Sequence, residues 1–147
     1  MIYKDPERVF RKAIYNALNG AVTYNGNPVA VYDEFAADNA GDLFIVLSNQ
    51  YADDRRNFAK FVTGCVLIID ICHLQNRAMT KDVVDAISNT IKGILMPSLV
   101  STGLTLDAGF SLTNLYRETS SYLSEQNNTK WVIRKIERYR AEVQQDS

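Results

Sequence analysis

Apolar residues recur near the start of the chain at helical spacing, at Val9, Phe10, Ala13, Ile14, Ala17 and Leu18. A stripe of that period predicts a helix with one buried face. Asp5 offers an N-cap oxygen, Pro6 gives up nothing at the first helical position, and Glu7 suits the helix dipole. Asn19-Gly20 supplies a left-handed stop, so the helix should span about residues 5–19. The segment Tyr24-Asn25-Gly26-Asn27-Pro28 then reads as a turn, and Val29-Ala30-Val31-Tyr32-Asp33 as a short strand. Residues 34–41 are small and polar, hence a loop.

The period then changes to two. Leu43, Ile45 and Leu47 alternate with Phe44, Val46 and Ser48, which predicts a strand over 42–50 that is covered on both sides. The charged stretch 51–57, with Asp53, Asp54, Arg55 and Arg56, reads as the tip after that strand. Residues 58–74 carry the longest strand signal, with Phe61, Cys65, Leu67, Ile69 and Ile71 on one face and Val62, Val66, Ile68 and Cys72 on the other. This strand belongs in the centre of a sheet. Thr80 caps a second helix, about 80–96, whose stripe is Val83, Val84, Ile87, Ile91, Ile94 and Leu95, with Met96-Pro97 as its end.

Beyond Ser98 the alternation weakens, and a final hairpin is expected over about 108–143, turning at Gln126-Asn127-Asn128. Its last element is ambiguous, since Trp131, Ile133 and Lys135 alternate with Val132, Arg134 and Ile136, yet Val132, Ile136, Tyr139 and Val143 also fit a helix. The strand reading is favoured. The expected fold is one α+β domain over 1–147, a mostly antiparallel sheet of four to five strands with two helices on one face.

Composition sets bounds. A chain of 147 residues buries roughly 68–70% of its unfolded surface, enough for one core. A net charge of −1 gives no whole-molecule attraction for nucleic acid or anionic membrane. The apolar run at residues 66–72 is broken by Asp70 and far shorter than the roughly 20 residues of a membrane helix. The charged N-terminus lacks the apolar stretch of a secretory signal, so synthesis in the cytoplasm is expected. Cys65 and Cys72 lie seven strand residues apart, about 23 Å, on opposite faces. A disulfide between them is excluded, because it needs Cα atoms within roughly 7 Å.

Catalytic chemistry finds little support. His73 is the sole histidine, which removes a two-histidine metal site and leaves one candidate base that points away from Cys72 on a strand. The pairs Asp53-Asp54, Asp33-Glu34 and Asp82 with Asp85 suit solvated loops or a helix dipole. No glycine-rich phosphate loop and no GxSxG elbow is present. The expectation is no enzyme, no metal and no cofactor. What remains is surface: a C-terminal run in which Arg134, Arg138 and Arg140 share one strand face, with Tyr116, Arg117, Tyr122 and Trp131 nearby. Tyr, Trp and Arg are what buried interfaces favour. Subunit or partner contacts are therefore expected at 51–57, at 34–41 and along 116–140.

The element order, carried by Tyr24-Asn25-Gly26-Asn27-Pro28-Val29-Ala30-Val31-Tyr32-Asp33, by Leu43-Phe44-Ile45-Val46-Leu47-Ser48-Asn49-Gln50, by 61–73 and by 81–95, resembles the tail terminator family of tailed bacteriophages and its related tail-completion and neck proteins. The resemblance implies a virion protein at the tail-neck junction, a homo-oligomeric and commonly hexameric ring that caps the tail tube protein and meets the head-tail connector. DNA would pass its lumen without sequence-specific binding, and no catalytic residues come with it. Two rival readings are a head-side neck adaptor or stopper and a small nucleic-acid-binding domain using the C-terminal basic strand. An enzyme acting through His73 is the third.

Overall fold

The computed structural model describes residues 3–56, 61–76, 80–99, 101–127 and 129–146, without the side chains of 49, 50, 55, 56 and 127. Helix α1 spans Pro6–Leu18, capped by the Asp5 carboxylate, which accepts the Glu7 N–H at 2.9 Å. It stops where Gly20 turns to φ 82°. Next come β1 (Thr23–Tyr24) and β2 (Asn27–Pro28), a two-stranded hairpin. Its loop residues Asn25 and Gly26 both have positive φ, as a tight hairpin requires. The predicted turn at 24–28 is thus the centre of a small paired unit.

The main sheet contains β3 (Ala30–Asp33), β4 (Leu43–Arg56), β5 (Phe61–Gln75), β6 (Phe110–Asn127) and β7 (Lys130–Gln145), in the order β3-β4-β5-β7-β6. The fold is α+β, but the sheet is mixed and not of the mostly antiparallel type expected. β3 runs parallel to β4, whereas the other neighbours are antiparallel. The reason lies in the loop after Asp33, which returns across one face of the sheet so that Phe44 starts beside Ala30.

A second correction concerns 51–57. Tyr51 through Arg56 continue β4 past an irregularity after Ser48 and pair with Phe61 through Val66. The charges therefore sit on a strand and not on a tip. They are tolerated there because Asp54 accepts from the Tyr3 hydroxyl at 2.9 Å and from Thr63 Oγ1 at 3.3 Å, and Asp53 lies beside Arg140. Asn57, and 58–60 of the predicted central strand, fall outside the described residues.

Helix α2 spans Asp82–Leu95 with Lys81 at the N-cap. Thr80 still contributes, since its Oγ1 accepts the Asp82 N–H at 3.2 Å. Both helices lie on one face of the sheet. Phe10, Ile14 and Leu18 of α1 and Val84, Ile87, Ile91 and Leu95 of α2 form one core with Ile45, Leu47, Cys65, Leu67, Ile69, Ile71, Ile133 and Tyr139. Alternation sends the intervening residues, among them Val46, Ile68, Asp70 and Arg134, to the opposite face, which no helix among the described residues covers. Among the described residues no helix is long and apolar enough to cross a membrane.

Candidate interaction surface

Strand register decides which candidate residues meet. Arg134, Arg138 and Arg140 do share one face of β7, the open face, and each guanidinium lies against carboxylate. Arg134 donates twice to Asp70, through Nε at 3.1 Å and through Nη2, and through Nη1 to Glu125 at 3.3 Å. Hydrogen bonding to Asp70 lifts the Arg134 pKa above even its ordinary high value, against the lowering effect of burial. Arg138 pairs with Glu118 at 2.8 Å, and Arg140 lies 3.4 Å from the other oxygen of Glu118 and 3.8 Å from Asp53. The half-exposed Tyr51 ring lies 5.7 and 5.9 Å from these two guanidinium groups, within cation–π range. The predicted basic ribbon is a charge-matched lattice.

Irregularities in β6 make this matching possible. The register slips between Arg117 and Thr119, so that Glu118 joins the open face while Arg117 turns to the helix side. There Arg117 Nη1 donates to Glu137 Oε2 at 2.6 Å. Glu137 is fully buried, and its other oxygen accepts from Ser88 Oγ of α2 at 2.7 Å. Tyr122 also faces α2, where its hydroxyl and the Lys135 ammonium, 2.8 Å away, both donate to Asp85 Oδ1. Those bonds, the one from Lys135 first, hold the Asp85 carboxyl below its ordinary range. Arg117, through Glu137 and Ser88, and Tyr122, through Asp85, thus tie β6 to α2, while Tyr116, Tyr122 and Trp131 stay exposed by 45%, 40% and 39%. Of the remaining candidates, Asp53 and Asp54 are placed as described, and the side chains of Arg55 and Arg56 fall outside the described residues.

Sequence reasoning missed the acidic half of the lattice. Asp70 was visible as a charge interrupting an apolar run, but Glu118 could be assigned a face only once the slip in β6 was known. It also passed over Phe35, 84% exposed on the loop after β3. That loop covers a recess of about 470 Å³ on the open face, floored by Phe44, Val46, Cys72 and Val132.

The groups considered for catalysis lie apart. Cys65 and Cys72 are buried free thiols, each pushed up to about 12 by burial, with acidic neighbours adding to the effect. His73 faces the helix side, opposite Leu43 and Ile133, while the neighbouring Cys72 faces the open side. Burial lowers the His73 pKa, opposed by Asp42, and no described residue hydrogen-bonds its buried Nδ1. Among the described residues no cluster of three His, Cys, Asp or Glu side chains could hold a metal ion.

No family model and no curated protein matches the sequence. Among solved structures, the fold is similar to that of a chain in the virion of a native gene transfer agent particle, with a TM-score of 0.63 and 17% identity over 91% of this chain and 95% of that one.

Proposed function

We propose that this chain is a structural virion protein, a tail terminator subunit that assembles into a ring, commonly hexameric in such proteins, between the tail tube and the head-tail connector. The observation that carries this reading is the near end-to-end likeness to a chain of a gene transfer agent virion particle, which leaves no large part of either chain unmatched. The surfaces agree with it. An open sheet face, partly exposed aromatic rings and the long hairpin of β6 and β7 offer contact area.

A head-side neck adaptor would use the same surfaces. Nucleic-acid binding through Arg134, Arg138 and Arg140 draws less support, because these cations are already matched by Asp53, Asp70, Glu118 and Glu125. The test is native mass spectrometry of the purified chain, alone and mixed with the tail-tube protein of its virus or with the connector. A ring in any of these mixtures is expected. A chain that stays monomeric in all of them would sink the proposal.

A further inference from the structure

We propose that the outer edge of β6 pairs, antiparallel about a two-fold axis, with the same edge of a second copy of this chain. The contact is independent of the ring reading and adds to it a reversible dimer of the free chain. β6 is the outermost strand on its side of the sheet, and its irregularities end at Thr119. From there to Asn127 every residue stays in register with β7, which occupies the inner side alone. Among the described residues none bonds to the outward backbone groups of 119–126, and each of these residues is exposed. Open strand edges are templates for further pairing, and folded proteins blunt them with charge, proline, bulges or shortness. β3, the other edge, is four residues long. The stretch Thr119-Ser120-Ser121-Tyr122-Leu123-Ser124 carries no such device. It presents exposed side chains on both faces instead, Tyr122 towards α2 and Leu123, 43% exposed, on the open side opposite Arg134. Trp131 adds a second exposed aromatic ring from the adjoining β7, and Tyr and Trp are what interfaces favour.

What fits such an edge is an extended strand, and this edge is its own complement. Two antiparallel copies centred on Tyr122 use the whole regular stretch 119–125. Tyr122 then faces Tyr122, Leu123 faces Ser121, Ser124 faces Ser120 and Glu125 faces Thr119, each pair on one face of the sheet. No like charges oppose one another, the aromatic pair is a favourable cross-strand contact, and Leu123 meets a small partner. That self-match selects a second copy as the occupant over an unrelated strand. A two-fold axis normal to the sheet keeps the helices of both copies on one side, and the two five-stranded sheets run on as one. Pairing also ends growth, because both β6 edges are consumed and only the short β3 edges are left.

The experiment places paired substitutions at Ser120 and Ser124, exposed residues that this register sets opposite each other and whose own side chains the pairing does not require. Ser120→Cys with Ser124→Cys, oxidised, is expected to give a disulfide-linked dimer, since opposed residues lie about 4.5–5.5 Å apart at Cα. Either single variant should give almost none, because each residue then stands about 13 Å from its own symmetry mate. The native Cys65 and Cys72 are buried and stay out of the reaction. In sedimentation velocity of the chain alone, wild type should shift from monomer to dimer as concentration rises. Ser120→Lys with Ser124→Lys sets like charges opposite one another twice and should weaken dimerisation about tenfold. Ser120→Lys with Ser124→Glu should restore it, with the Tm of the dilute monomer unchanged in both. A wild-type chain that stays monomeric up to about 1 mM would overturn the edge pairing. So would assemblies in which the double cysteine variant links no better than the single ones, or undiminished dimerisation of the double lysine variant. Each of these failures leaves the ring reading standing, since its test uses the tube and connector proteins.

Discussion

Gly103 shows how one missing side chain can fix the end of an element. Its N–H donates to the Leu95 carbonyl at 2.9 Å, which satisfies part of the C-terminus of α2 after Met96-Pro97 has ended the helix. A β-carbon on Gly103 would lie 1.8 Å from the Ile94 carbonyl oxygen, a backbone atom that cannot swing aside. Gly103→Ala must therefore displace the segment that packs Leu104 and Leu106 against the core. A loss of about 1–3 kcal/mol is expected, the range of overpacking in a folded interior. Urea unfolding monitored by circular dichroism measures it, and a midpoint equal to wild type would show that this approach does not hold the chain.

At the scale of elements, the lock between the final hairpin and α2 decides what β7 is. Lys135 and Glu137 alternate onto the helix side, where an unpartnered charge would be expensive. Lys135 finds Asp85 and Tyr122, while Glu137 finds Ser88 and Arg117. Arg117→Ala leaves the Glu137 carboxylate buried with Ser88 as its remaining partner, and a cost of about 3–5 kcal/mol is expected. Replacing both, as Arg117→Met with Glu137→Met, should recover most of it, because similar apolar volume fills the site without a buried charge. If equilibrium unfolding places the double variant no higher than Arg117→Ala, the ion-pair explanation fails. The same pair explains where sequence reading stopped. Period-two alternation marked 43–48 and 61–72 because those strands are apolar, whereas β7 carries charge on both faces and Val132, Ile136, Tyr139 and Val143 also fit a helical period. Only partners far along the chain, 49 residues away in Ser88 and 20 in Arg117, make its buried face acceptable. The continuation of β4 through Asp53 and Asp54 was illegible for the same reason, since Tyr3 lies ahead of α1 and Thr63 and Arg140 lie on other strands.

For the whole molecule, charge summed over a face decides what that face attracts. Three arginines in one row predict attraction for phosphate, and sequence gives them no visible counter-ions because Asp53, Asp70, Glu118 and Glu125 come from three other strands. With four carboxylates facing three guanidinium groups, the row releases few counter-ions on meeting a duplex and should bind it weakly. A ring that lets DNA through needs that property on any face the DNA passes. Fluorescence anisotropy with a labelled duplex should show binding no tighter than about 10⁻⁴ M at near-physiological salt, the weak end of non-specific affinity. Glu118→Gln with Glu125→Gln removes two counter-charges and should produce binding that weakens steeply between 50 and 200 mM salt, with a slope larger by about one to two. If the wild-type chain instead binds tightly, and Arg134→Ala with Arg138→Ala abolishes it, the lattice is a nucleic-acid site and the neutral-face account is wrong. If neither form binds, removing the carboxylates does not free the guanidinium groups, and Tyr51 or the sheet itself must hold them away from solvent.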